Sequence, residues 1–155
     1  MTKTAIVTGA SRGIGRATAL KLAAAGYAVV VNYASNAAAA DEVVKAITSK
    51  GGKALAVKGD VSQEQDVAAI FAAADALGPL SVLVNNAGVM DHENRLDEMD
   101  TSRLKRIFDV NIFGSFLCAR EAVKRMSTKH GGQGGVIINM SSAAAAHGAP
   151  AFGVE

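Results

Sequence analysis

Five short apolar runs recur along the chain, at Thr4 to Thr8, Ala28 to Asn32, Ala54 to Val57, Leu80 to Asn85 and Val136 to Asn139. Each is nearly continuous rather than alternating, which predicts strands covered on both faces, as in a parallel sheet. Helical patterns separate them. After the third run Ser62 and Gln65 form a capping-box pair, Val67, Ile70, Phe71, Ala74 and Leu77 form an apolar stripe, and Gly78-Pro79 ends it. A longer helix is predicted from about Thr101 to Lys129, with Asp100 as N-cap and Leu104, Ile107, Phe108, Ser115, Ala119, Ala122, Val123 and Met126 on one stripe. Asn111 falls on that stripe. A buried amide must find partners or cost about 1–3 kcal/mol, so it is either a structural linker between backbones or part of a site. Strand and helix alternate, which predicts an α/β fold, a doubly wound parallel sheet with right-handed crossovers.

Ligands of such sheets sit at the carboxyl ends of the strands, and the distinctive polar clusters of this sequence all fall there. Thr8-Gly9-Ala10-Ser11-Arg12-Gly13-Ile14-Gly15 follows the first run, Asn32-Tyr33-Ala34-Ser35 the second, Gly59-Asp60-Val61 the third, Asn85-Asn86-Ala87-Gly88 the fourth and Ser141-Ser142 the fifth. The first cluster is a glycine turn leading into an Ala/Leu-rich helix. Glycines permit positive φ and close approach of a ligand, and a helix start offers unpaired N–H groups and a positive dipole end, so the turn suits a diphosphate. Its glycines read G-x-x-x-G-x-G, with Thr18 where the common G-x-G-x-x-G fingerprint has its last glycine.

Composition narrows the picture further. A chain of 155 residues is long enough for one domain with a substantial core, and no linker divides residues 1–155. Hydrophobic residues make up 50% and charged ones 19% without a run of like charge, so the chain reads as globular. The net charge of +2 comes from scattered Lys and Arg, which argues against a nucleic-acid partner. No apolar stretch approaches the roughly 20 residues of a membrane span, and the N-terminal run meets its glycine turn too early for a secretory leader; a cytoplasmic protein is expected. Cys118, the single cysteine, forms no internal disulfide and falls on an apolar stripe as a small buried hydrophobe. The runs Ala37 to Ala40 and Ala143 to Ala146 read as packing or helix-start material.

His92 stands between Asp91 and Glu93, where neighbouring side chains of an extended segment point apart, so no metal site is expected. His130 before Gly131-Gly132 suits a helix end, and His147 falls in the loop after Ser142, where a solvated side chain and one lining a pocket are both open readings. Ser141-Ser142 lacks the G-x-S-x-G elbow of a hydrolase.

Thr8-Gly9-x-x-x-Gly13-x-Gly15, Asn85-Asn86-Ala87-Gly88, Asp109-Val110-Asn111 and Ile138-Asn139-Met140-Ser141-Ser142, in that order, together resemble the classical short-chain dehydrogenase/reductase family. The resemblance runs through the chain and covers the front portion of the family's usual length. It implies a Rossmann-like, three-layered fold ending after the fifth strand. It also implies that Gly9, Ser11, Arg12, Gly13, Ile14 and Gly15 hold a cofactor diphosphate, that Asn86, Ala87 and Gly88 lie against the adenine ribose, and that Asp60 and Val61 contact the adenine. Asn85 would tie the central strands together. Asn111 matches the residue that holds a water in a proton relay, and Ser142 the one that orients the substrate carbonyl, with Ser141 as the alternative register.

Family members preferring NAD carry an Asp at the end of the second strand, whereas this chain has Asn32, Tyr33, Ala34, Ser35 and Asn36 there, and Arg12 in the turn. A cation with hydroxyl and amide donors suits a dianionic 2'-phosphate, so NADP(H) is favoured over NAD(H). The implied chemistry is hydride transfer between nicotinamide and a small carbonyl or alcohol substrate, with a tyrosine phenol moving the proton. A free phenol has a pKa of about 10, so a lysine and the ribose are needed to lower it. The family's Y-x-x-x-K segment is due where the chain reaches Glu155, and Tyr27 and Tyr33 do not match it. These 155 residues are therefore expected to be inactive alone, with an apolar sheet edge and helix face exposed that a homo-oligomer partner would cover. A shortened sequence, a truncated gene product and a natural noncatalytic nucleotide-binding or interaction fragment are the explanations that follow.

Overall fold

Strands β1 (Thr4–Val7), β2 (Ala28–Tyr33), β3 (Ala54–Lys58), β4 (Leu80–Asn85) and β5 (Val136–Asn139) pair in parallel in the order β3-β2-β1-β4-β5. The structure, a computed structural model, describes residues 2–90 and 96–143. Helices α1 (Gly13–Ala24), α2 (Ala37–Thr48) and α3 (Glu64–Asp75) make the crossovers, and α4 (Thr101–Phe108) and α5 (Gly114–Met126) join β4 to β5. The strand positions agree with the apolar runs to within one residue.

Neighbouring strand residues point to opposite faces, so a continuous apolar run supplies two cores at once. Ile6, aligned with Val30 and Leu83, packs under α3 and α5 against Ile70, Phe71, Leu117 and Cys118. Ala5, Val7, Val29, Val31 and Val84 pack under α1 and α2 against Ala19, Val43 and Ile47. Full burial of a side chain such as Phe71 or Ile6 contributes about 1.5–3 kcal/mol. The expectation of two covered faces holds for β1, β2 and β4. It fails at the edges, where Leu55 of β3 and Val136 and Ile138 of β5 are exposed.

The predicted capping box does not form. Helix α3 starts at Glu64 after Gln63, and the Ser62 Oγ–H donates instead to Asp60 Oδ1 at 2.7 Å. Asp66, in the first turn of α3, accepts the Asp60 N–H through Oδ2 at 2.8 Å. Two carboxylates compete successfully with one glutamine because charged acceptors make the stronger hydrogen bonds.

The predicted helix from Thr101 to Lys129 is also divided. Asp100 caps α4 by accepting the Arg103 N–H at 2.8 Å, as expected, but a π-helical turn over Asp109–Phe113 interrupts the α pattern before α5. Such a turn carries an extra residue and rotates everything beyond it relative to the first half. Val110, Leu117, Cys118, Ala122 and Met126 consequently face the core, while Phe108 and Val123 of the predicted stripe are exposed, with Phe113 and Phe116 beside them. At Gly114 a Cβ would lie 2.7 Å from Val61 Cγ2, so a glycine is required where α5 passes that loop. Beyond Met126 the chain makes a separate short turn, Thr128–His130. The Asp91-His92-Glu93 trio, His147 and most of the Ala143 to Ala146 run lie outside the described residues.

Candidate functional site

The end of β1 is locked to the end of β4 by a side chain, not by sheet pairing alone. The Thr8 Oγ1 accepts the N–H groups of Asn86 at 3.0 Å and Ala87 at 2.9 Å. Asn86 returns its Nδ2 to the carbonyls of Thr8 at 2.8 Å and Gly9 at 3.1 Å. Gly9 turns the chain at φ 61, and at Gly15 a Cβ would fall 2.6 Å from the Gly9 carbonyl oxygen. Only a backbone without side chains fits between the turn and Asn86.

On the other side, the buried Asn32 joins three strand ends. Its Oδ1 accepts the Gly9 N–H at 3.2 Å, and its Nδ2 donates to the carbonyls of Gly59 at 3.0 Å and Val57 at 3.3 Å. Asn32, expected among the donors for a 2'-phosphate, lines the cleft but has its side-chain amide engaged within the protein. Asn85 likewise spends its Nδ2 on the Ser115 carbonyl at 3.1 Å and on Asn139 Oδ1 at 2.9 Å, tying β4 to α5 and β5.

These braces frame a cleft of about 750 Å³. Gly9, Ser11, Arg12, Gly13, Ile14, Gly15, Asn32, Tyr33, Ser35, Asp60, Val61, Asn86, Ala87 and Gly88 all line it, so every residue expected at the cofactor converges on one space. Helix α1 opens into the cleft from Arg12 with no side-chain cap and no acidic residue in its first turn. The amide groups of that turn and the positive end of the helix dipole are therefore available to an anion. The Arg12 guanidinium is exposed and forms no ion pair among the described residues. The end of β2 carries no carboxylate, and Asn36 caps α2 by accepting the Ala39 N–H at 3.0 Å.

Asp60 is the carboxylate of the cleft wall. Burial alone raises its pKa, but the Ser62 N–H and Oγ–H and the Arg106 guanidinium outweigh that and hold it below 3.8. The Arg106 Nη1 sits 2.7 Å from Asp60 Oδ2 and lines the cleft as well. Arg106 was absent from the residues singled out in the sequence. No local pattern marks it, because its partner is 46 positions away. Thr8 was visible as part of the turn, but not as its lock.

Asn111 is exposed, contrary to its place on a buried stripe. Its Oδ1 accepts the Val89 N–H at 2.8 Å and its Nδ2 donates to the Val89 carbonyl at 2.9 Å, a two-point clamp between the π turn and the β4 loop. It therefore links backbones beside the cleft without lining it. Ser142 is exposed beyond β5 and is also not part of the lining, as is Ser141. Cys118 is fully buried, and burial together with the Glu121 charge pushes its thiol up to about 12. Among the described residues no group of His, Cys, Asp or Glu could hold a metal, and no helix is long and apolar enough to cross a membrane.

Known proteins resemble this chain in sequence and in fold. An uncharacterized oxidoreductase, YgfF, of Escherichia coli is 51% identical over 147 residues, covering 94% of this chain and 60% of the relative. A 3-oxoacyl-(acyl-carrier-protein) reductase of Synechocystis is 43% identical over 147 residues, 94% of this chain and 58% of that protein. The crystal structure of a short chain dehydrogenase from Mycobacterium avium superposes with a TM-score of 0.87 at 36% identity, over 97% of this chain and 57% of that one. The chain thus spans less than two thirds of the length of the relatives it matches. A family model described as short chain dehydrogenase matches residues 3–154. With the parallel sheet, the glycine turn and this match in agreement, the chain belongs to the short-chain dehydrogenase/reductase family.

Proposed function

We propose that the chain binds a pyridine dinucleotide, NADP(H) in preference to NAD(H), as the cofactor-binding domain of an oxidoreductase acting on a small carbonyl or alcohol substrate. The observation that carries this reading is the convergence of the glycine turn, the uncapped start of α1 and three other strand-end loops, those after β2, β3 and β4, on one cleft. The fit to a dinucleotide rests on that donor set and on Gly13, where φ is 56 and a Cβ would meet nothing within 4 Å, leaving backbone open to a ligand. Gly9, Ser11, Gly13, Ile14 and Gly15 would hold the diphosphate, and Asn86, Ala87 and Gly88 the ribose. Arg12, Tyr33 and Ser35 would meet the 2'-phosphate, since a cation and neutral donors favour a dianion that a carboxylate would repel.

When bound, the nicotinamide supplies the hydride donor or acceptor. Asn111 holds the π turn against Val89 and would steady a water beside the nicotinamide, and Ser142 would orient the substrate oxygen. A carbonyl substrate is in keeping with the 3-oxoacyl reductases among the relatives. Within these 155 residues neither tyrosine precedes a lysine by four positions, so binding without turnover is the expectation for the chain by itself. The exposed Phe108, Phe113, Phe116 and Val123 fit a homo-oligomer contact, and a cytoplasmic setting fits a protein drawing on the soluble nicotinamide pool. Calorimetric titration with NADPH and NADH tests the reading. Tighter binding of NADPH is expected; absence of heat with both would overturn it.

A further inference from the structure

We propose that Arg106 is a positioning residue: it orients the Asp60 carboxylate to accept a hydrogen bond from the exocyclic amine of a purine, and so selects an aminated base in the cleft. The inference deepens the dinucleotide reading and rests on it. A carboxylate offers about four acceptor positions. Asp60 Oδ1 takes the Ser62 N–H at 3.0 Å and the Ser62 Oγ–H at 2.7 Å, which fills it. Oδ2 takes the Arg106 Nη1 at 2.7 Å, and the same Nη1 lies 3.2 Å from Ser62 Oγ. One acceptor position of Oδ2 is left, and the carboxylate is held in one rotamer by partners on two elements.

The surroundings suit a planar ring. Val61 and Val110, 5% and 4% exposed, line the cleft with the exposed Ile14. Apolar walls with a lone acceptor at the edge accept an amine, whereas hypoxanthine, which has no exocyclic amine, would set a carbonyl oxygen against the carboxylate, acceptor against acceptor. Arg106 does not serve packing, because α4 buries none of its side chains. Its neighbour Lys105 pairs along the helix with Asp109 at 2.5 Å, whereas Arg106 reaches across to the loop after β3.

The test is calorimetric titration of the unaltered chain, Arg106→Gln, Arg106→Lys and Ser62→Ala with NADP+ and with its hypoxanthine analogue, alongside thermal melting of each. The unaltered chain should prefer NADP+ by about tenfold, the worth of one charge-assisted hydrogen bond. Arg106→Gln should reduce that preference to about threefold or less at unchanged melting temperature, and Arg106→Lys should restore most of it. Ser62→Ala, which removes a second tether of the same carboxylate, should lower the preference in the same direction, and it decides the matter should Arg106→Gln fail to fold. Equal binding of both dinucleotides by the unaltered chain, or an unchanged preference in the variants, overturns the role of Arg106 and leaves the cofactor reading standing. No binding of either by the unaltered chain overturns both.

Discussion

The two rims of the sheet are built from the same strands yet differ in what closes them. At the carboxyl rim the side chains of Thr8, Asn32 and Asn86 bind backbone groups of neighbouring strand ends, and that of Asn85 binds the Ser115 carbonyl of α5 and the Asn139 amide oxygen, all across long stretches of sequence. At the amino rim the turns rest on glycines with positive φ, Gly26, Gly51 and Gly78, and Thr4 supplies a single hydroxyl bond to the Gly78 carbonyl at 3.0 Å. A smaller cavity of about 470 Å³ lies there, lined by Leu20, Ala23, Tyr27 and Ile47, with Lys50 and Lys53 from the segment between the end of α2 and β3. Parallel crossovers send every helix start to one rim and every helix end to the other, so anions are favoured at the first and lysines at the second. Long-range side-chain braces beside a glycine turn at one rim, and glycine turns with a single hydroxyl bond at the other, distinguish the two.

Matched substitutions at the two rims put that contrast to the test. Thr8→Val strands two amide groups and should cost about 2–4 kcal/mol in urea unfolding, whereas Thr4→Val, losing one bond, should cost about 1 kcal/mol. Equal losses would erase the distinction. Gly15→Ala forces a Cβ against the Gly9 carbonyl and should cost about 1–3 kcal/mol together with most of the dinucleotide affinity, while Gly26→Ala should leave titration with NADPH unaltered. Arg12→Ala should weaken NADPH by about tenfold and NADH by no more than about twofold, with Lys53→Ala changing neither.

The acid limb gives a smaller effect. Because the native Asp60 pKa lies below its unfolded value of 3.8, its stabilisation is complete above 3.8 and is lost as pH falls through the native value. Asp60→Asn should therefore flatten the decline in melting temperature below pH 3.8. Least of all, Cys118, with its thiol at about 12, should resist iodoacetamide at neutral pH in the folded chain and react only in urea.

What could be read ahead of the fold, and what could not, divides along the same rims. The strand ends and glycine turn were legible because burial on both faces demands continuous apolar residues and a tight strand-to-helix turn at positive φ demands glycine. The break at Asp109–Phe113 was not, since a period of 3.6 continues through it on paper while Asn111 is drawn to Val89 in space. The capping box failed for a similar reason: Ser62 found Asp60, two positions back, a better partner than Gln65.

Local pattern alone therefore determined the order of strands and helices, the rim on which the polar clusters gather and the family to which the chain belongs. Tertiary structure alone decided that Asn32 braces three strand ends, which of its two readings Asn111 takes up in clamping Val89, and that Arg106 enters the cleft at all. The physical reason is distance. Periodicity and turn chemistry act within a few residues, but a hydrogen bond or ion pair is settled by which groups come within about 3 Å once the core has closed.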